Sequence, residues 1–302
     1  MAFADILKTF KKPVDNGGII AKVDRYLLSL EGKLLLDKED EREKGCFHPS
    51  EISTNNCIRS LVYNWLKAPV TNANTIQPRV KRIFDVGHHK GYILQQYFWD
   101  MGILEGNYEC IECKHHWWAV SPKECVNCKA KLFIWHNLHY LEVSVHNKKW
   151  NIKGKSDGII IQEGKRVLLE FKSIKNRDFT SPENSVAFED LQAAKIEHVH
   201  QTNLYMDALD EEGLEIERAI IIYFAKNNQL LKEFPIRKMD MMLEPSYNKI
   251  LAVNHALENN YLPERQGTMK SDKVCQYCAR KNLCWDTEHT FEQVDNRGKV
   301  GE

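Results

Sequence analysis

Apolar residues recur at two different periods along this chain, and the change between them organises it. Phe3, Ile6, Leu7 and Phe10 lie at helical spacing, as do Val23, Tyr26, Leu27 and Leu30, so residues 1–45 read as a helical, charged segment. His48-Pro49-Ser50-Glu51 opens a further element with Ser50 as N-cap and Ser53 as its rival, and Cys57, Leu61 and Tyr63 to Leu66 follow as a helix. Pro69 to Pro78 reads as a loop. Val80 to Met101 predicts a long helix with Ile83, Phe84, Ile93, Leu94, Tyr97 and Phe98 apolar, weakened in its middle by Gly87 and Gly91. From Leu138 onward the period falls toward two. Leu141-Glu-Val-Ser-Val145 alternates as a half-buried strand does. Gly158 to Ile161, a turn at Gln162 to Lys165, and Val167 to Lys172 predict a hairpin. A helix over Ser185 to Leu209, a strand over Ala219 to Ala225, a turn at Asn227-Asn228, a strand from Gln229 to Ile236 and a helix from Met239 to Asn260 complete the pattern. That order predicts an α/β fold with a mixed central sheet flanked by helices.

The chain has 302 residues, enough for one large domain or two modest ones. Lys+Arg and Asp+Glu are both 42, so overall charge cannot hold a polyanion, and a local basic patch must do so. Lys148, Lys149, Lys153 and Lys155 form one basic stretch, Lys175 and Arg177 a second, and Arg265, Lys270, Lys273, Arg280 and Lys281 a third. No apolar run approaches the ~20 residues of a membrane span. Met1 to Lys12 lacks the apolar core and cleavage site of a signal peptide. A soluble, intracellular (cytoplasmic) protein without a membrane partner is the expectation.

Nine cysteines change the picture. In an intracellular chain, C-x-x-C pairs read as metal ligands before disulfides. Cys110-x2-Cys113 and Cys125-x2-Cys128, with eleven residues between the pairs, form a four-cysteine site suited to tetrahedral Zn²⁺. The segment around them, 108–134, is short and polar and reads as an insertion whose folding energy comes from metal. Trp117 and Trp118 within it read as packing residues ahead of base-stacking ones. Cys275, Cys278 and Cys284 form a late group of three, and Cys46 and Cys57 stand singly upstream. Four thiolates suit Zn²⁺ and a [4Fe–4S] cluster alike.

The predicted hairpin carries the chemistry. Alternation along a strand puts Glu170 and Lys172 on one face and Phe171 on the other. Asp157, at the end of Gly154-Lys-Ser-Asp157, precedes the partner strand and can approach Glu170. Two carboxylates with a backbone carbonyl make an oxygen site for Mg²⁺ or Mn²⁺. Lys172 beside them can position water and offset developing negative charge. Gln201 and Tyr205, four apart, share a helical face, which His198 could extend.

These residues resemble the RecB-like branch of the PD-(D/E)XK nucleases: Gly154 to Asp157 for G-x-x-D, Glu170-Phe171-Lys172 for E-x-K, and Gln201 to Tyr205 for Q-x-x-x-Y. The resemblance covers residues 47–285. It implies a restriction-endonuclease-like mixed sheet, a divalent metal held by Asp157, Glu170 and the Phe171 carbonyl, Lys172 as catalytic lysine, and Gln201 and Tyr205 as DNA contacts. It also implies an upstream helical histidine as a metal ligand. That position falls at Gly91, with His88 or His89 standing in almost a turn earlier. Cys57 followed by C-x2-C-x5-C is similar to the iron–sulfur subgroup of the CRISPR-associated adaptation exonucleases and the AddB nuclease domain, which implies a [4Fe–4S] cluster on Cys57, Cys275, Cys278 and Cys284. The chain then divides into a helical segment (1–45), a helical part of the nuclease with the first cluster cysteine (46–107), a zinc-ribbon insertion (108–134), the nuclease core (135–260) and a cluster-binding tail (261–302). The expected activity is a Mg²⁺- or Mn²⁺-dependent deoxyribonuclease, an exonuclease on single-stranded DNA or DNA ends. A non-catalytic DNA-binding or scaffold subunit of a helicase or recombination assembly is the alternative.

Overall fold

The β-branched runs become the inner strands of a seven-stranded sheet. The computed structural model describes residues 22–27, 45–53, 56–70, 78–174, 177–179, 185–226, 228–276, 278–286 and 288–297. The expected helix at Met1 to Lys12 and most of the 69–78 loop lie outside them. Two compact units divide the chain: Met1–Glu43 with Asn74–Val86, and Lys44–Ala73 with Gly87–Glu302. In the first, Arg82 pairs with Asp24 and Lys81 with Asp85.

The second unit holds the sheet. Its strands are β1 (Leu104–Cys110), β2 (His116–Val120), β3 (Leu138–Leu141), β6 (Gly158–Gln162), β7 (Lys165–Ile174), β10 (Arg218–Ala225) and β11 (Leu231–Ile236). They run in the order β11-β10-β7-β6-β1-β2, with β3 also on β1. Among the described residues of this sheet only β10 and β7 pair in parallel; its other pairs are antiparallel. Ala219 to Ala225 are all buried, which accounts for an unbroken apolar run where a one-faced strand would alternate. The β6–β7 turn has Glu163 at φ 54° and Gly164 at φ 76°, a type I′ pair that matches the twist of its strands. Two smaller ribbons, β4 (Val143–Asn147) with β5 (Ile152–Ser156) and β8 (Arg177–Phe179) with β9 (Ser185–Ala187), lie outside the main sheet.

The main helices are α1 (Pro49–Ile52), α2 (Ile58–Trp65), α3 (Pro78–Asp100), α4 (Ile196–Glu211) and α5 (Glu244–Glu258). One apolar cluster joins the sheet to Leu94 and Trp99 of α3 and to Met206, Ala208 and Leu209 of α4. A second gathers Ile52, Leu61, Val62, Leu66, Ile250 and Val253 around Ile152 and Leu204. Each such buried side chain contributes about 1.5–3 kcal/mol. Among the described residues no helix is long and apolar enough to cross a membrane.

Several elements differ from their expectation. The alternating run Leu141 to Val145 is two strands, β3 in the main sheet and β4 in a ribbon, with Glu142 between them. The helix expected from Ser185 starts at Ile196, because Phe188 is buried among Ile174, Ile221, Tyr223, Ala225 and Phe234 and holds the preceding chain against the sheet. The helix expected from Met239 starts at Glu244, where Pro245 takes a first-turn position that needs no N–H donor. Neither Ser50 nor Ser53 caps a helix N-terminus. His48 precedes α1, whose first residue is the pre-set Pro49, and Cys57 precedes α2.

Candidate active site and metal centres

The site lies where the main sheet splits. β6 pairs with β7 only as far as Gly158↔Leu169, whereas β10 follows β7 to Ala225↔Ile174. Beyond Leu169 one edge of β7 therefore has no partner strand among the described residues. The chain before Gly158 leaves for the β4–β5 ribbon, and Asp157 is the one residue between ribbon and sheet. Its Oδ2 accepts the Phe171 N–H at 2.5 Å, so the carboxylate takes the place of the missing strand. Its carbonyl accepts Gln95 Nε2 at 2.7 Å, which fixes the turn to α3.

Glu170 and Lys172 share a face of β7, as alternation requires, and meet α4. Lys172 Nζ lies 2.6 Å from Glu170 Oε1. One amide links three side chains: Gln201 Nε2 donates to Glu170 Oε1 at 3.0 Å and to Tyr205 Oη at 2.8 Å, while Gln201 Oε1 accepts Lys172 Nζ at 3.2 Å. Gly154 lets this assembly close. A Cβ there would stand 3.0 Å from Pro49 Cδ and 3.2 Å from Tyr205 Cε1.

Burial pushes the Asp157 carboxyl well above the usual carboxylate range and the Glu170 charge pushes it further, against the Phe171 N–H and the Lys172 ammonium. Burial raises Glu170 as well, with Lys172 opposing. Burial, then the Glu170 charge, keeps the Tyr205 phenol protonated. Asp157 and Glu170 feel each other's charge with one ammonium, that of Lys172, against Glu170; the pair is short of positive charge, and its oxygens are hard ligands. That donor set fits Mg²⁺ or Mn²⁺.

Two further residues belong here that the sequence reading did not single out. Glu142, opposite Asp157 by extension of the Val143↔Ser156 register, adds negative charge that raises both acids. Gln95, only 2% exposed, holds the Asp157 carbonyl, and its Oε1 has no partner among the described residues. Helical spacing could have placed Gln95 on the sheet-facing side of α3 with Gly91; nothing local marks Glu142.

The histidines stand apart. His88 and His89 are exposed on α3, and His89 packs edge-on against Tyr92. His198 turns to Tyr223, its Nδ1 2.8 Å from the phenol oxygen, and does not extend the Gln201–Tyr205 face. Gly91 faces Phe171, with 3.7 Å from an added Cβ to Cδ2.

Among the described residues, Cys110, Cys113, Cys125 and Cys128 alone bring three or more ligand atoms of His, Cys, Asp or Glu within 4.8 Å of one another. The Sγ atoms of Cys110 and Cys128 are 3.8 Å apart and those of Cys113 and Cys125 3.7 Å. Tetrahedral geometry with ~2.3 Å zinc–sulfur bonds gives an edge of about 3.8 Å, so the set fits Zn²⁺. Asn127 and the His115 N–H bring the Cys113 thiol down to about 6. Trp117 packs on the sheet cluster and stacks on His115. Cys57, Cys275, Cys278 and Cys284 line a different, small cavity with Ser60, Tyr63 and Trp285. Cys46 stands apart from both sets, its Sγ 4.0 Å from His48 Nε2.

No curated protein matches this sequence. Solved structures similar to it include SSO0001, at 15% identity over 90% of this chain and 98% of that one with a TM-score of 0.46. The alkaline exonuclease LHK-Exo from Laribacter hongkongensis is similar at 11% identity over 71% of this chain and 89% of that one, with a TM-score of 0.38. The same exonuclease in complex with dAMP gives 0.37. A family model for the PD-(D/E)XK nuclease superfamily matches residues 113–285, more than half of the chain and the part that carries Asp157, Glu170 and Lys172. The chain belongs to the PD-(D/E)XK nuclease superfamily.

Proposed function

We propose that this chain is a divalent-metal-dependent deoxyribonuclease acting on single-stranded DNA or DNA ends. The observation that carries the reading is the convergence of Asp157, Glu170 and Lys172 on the unpaired edge of β7. Asp157, Glu170 and the Phe171 carbonyl would hold Mg²⁺ or Mn²⁺. Bound there, the ion supplies Lewis acidity at the scissile phosphate and lowers the pKa of the attacking water. Lys172 brings its side-chain nitrogen to that edge, where it offsets charge gathering on the phosphate. Gln201 fixes Glu170, Lys172 and Tyr205 with one side chain, so none need reorganise as charge develops. Tyr205 keeps its proton and can donate it to a phosphate oxygen. Purified protein with Mg²⁺ or Mn²⁺ is expected to degrade labelled single strands, and Lys172→Ala to slow this about a hundredfold or more. Undiminished cleavage by Glu170→Ala would remove these residues from the reaction.

Gly91 at the position of the family's histidine favours a second reading, a DNA-binding scaffold subunit with little turnover. It predicts strand binding without cleavage in either metal.

For the cysteines we assign zinc to the 110–128 set within an insertion at 108–134, and a [4Fe–4S] cluster to Cys57, Cys275, Cys278 and Cys284. The late thiols share a cavity without the close spacing of the zinc set, as suits ligands of a body larger than one ion. Protein purified without oxygen is expected to be brown, with iron and one zinc per chain. A colourless preparation with two zinc ions would replace the cluster by a second zinc site.

A further inference from the structure

A run of rings crosses the surface between α3 and the edge of the zinc-bearing segment. His89 meets Tyr92 with centroids 6.1 Å apart, Tyr92 meets Trp135 at 4.8 Å, and Trp135 meets His139 at 6.5 Å. Tyr92 is 44% exposed, and the His89 and His139 side chains also face solvent. Tyr92 lies three residues before Gln95 on α3, and Gln95 Nε2 donates to the Asp157 carbonyl at 2.7 Å, so the helix that carries the rings also bounds the site already described.

The chain keeps Trp135 in place at a cost. Its φ is 65°, a left-handed conformation that bulky side chains rarely adopt. Two bonds hold it there: Trp135 N donates to the Leu138 carbonyl at 2.8 Å, and Nε1 donates to the Tyr92 carbonyl at 3.2 Å. The indole is tethered to α3 by its edge and is half-buried, with Tyr92 and His139 tilted against it. Lys131 lies over the exposed Phe133 ring, and Lys114 answers Glu109, the acid beside His139.

We propose that Tyr92 and Trp135, flanked by His89 and His139, form the docking surface for the unpaired bases of a DNA single strand and lead it to the open edge of β7. Rings of this kind take any base by stacking, because every base has a π-face. A duplex hides its base faces and gains nothing from them. The direction of travel rests on the nuclease reading; the binding does not.

The test uses the full chain carrying Glu170→Ala, so that the probe survives, and fluorescence anisotropy with a labelled thymidine oligonucleotide and a labelled duplex. Trp135→Ala and Tyr92→Ala are each expected to weaken the single strand about tenfold. Duplex binding should stay unchanged, and Trp135→Phe should restore the single strand. Equal affinity in every variant overturns the proposal, as does an equal loss for strand and duplex or a failed rescue by Phe. Cleavage by the protein with Glu170 intact is scored separately. Stacking that survives in a protein unable to cut would overturn the nuclease reading and leave this surface standing.

Discussion

Two glycines one helical turn apart on α3 face the same strand under different constraints. At Gly91 an added Cβ stands 3.7 Å from Phe171 Cδ2, an ordinary contact; at Gly87 it stands 3.0 Å from Ser173 Oγ. Gly91→Ala is therefore expected to raise stability by about 0.5–1 kcal/mol, the usual gain for a helix interior, while Gly87→Ala gains less or loses. Thermal melts of both variants check this. The same clearance admits Gly91→His, which should tighten Mn²⁺ binding about tenfold in calorimetry if α3 faces the ion there. No change would place the ion away from α3. At this scale the sequence was informative wherever chemistry is local. Asp157, Glu170 and Lys172 lie within one hairpin, and alternation alone puts the last two on one face. Glu142 and Gln95 were not legible. Glu142 reaches the acids only because β3 and β4 belong to different sheets, and Gln95 only because α3 crosses the Asp157 turn.

Elements were legible where one period ran uninterrupted. The β6–β7 hairpin, β10 and β11 follow the apolar runs, and the length of α3 follows its periodicity. Their ends were less so, because tertiary contacts decide them. Phe188 delays α4 by occupying an apolar pocket that only the folded sheet provides. The alternation of Leu141 to Val145 is correct residue by residue and says nothing about a change of sheet at Glu142. The segment read as a short polar insertion is also continuous with the fold: β1 runs through Tyr108 to Cys110 and pairs with β2 from Glu105↔Val120 to Glu109↔His116. Cys110 thus ends a strand that is paired on both sides, and Tyr108 and Leu132 bury against the main cluster.

Across the whole molecule, the balance of 42 cationic and 42 acidic residues is uninformative about function, because the site depends on charges separated by a few ångströms. What the fold adds is convergence from distant parts of the chain. Cys57 and the cysteines after residue 274 line one cavity, and Arg280 Nε donates to the Ala68 carbonyl at 2.8 Å. The tail is thus fastened to α2 by its own bonds as well as by any cluster. The tight I′ turn at Glu163-Gly164 has a consequence for the order of assembly. It closes β6 onto β7 across a very short loop, so this pairing needs little of the chain to be in place. Asp157 and Glu170 then come together early, before α4 can bring Gln201. Nascent protein would pass through a stage in which two acids repel each other with few partners, and a divalent ion in the refolding buffer should speed the recovery of structure. Stopped-flow refolding with and without Mg²⁺ would show it, and Glu170→Gln, with one charge fewer, should refold at the same rate in both.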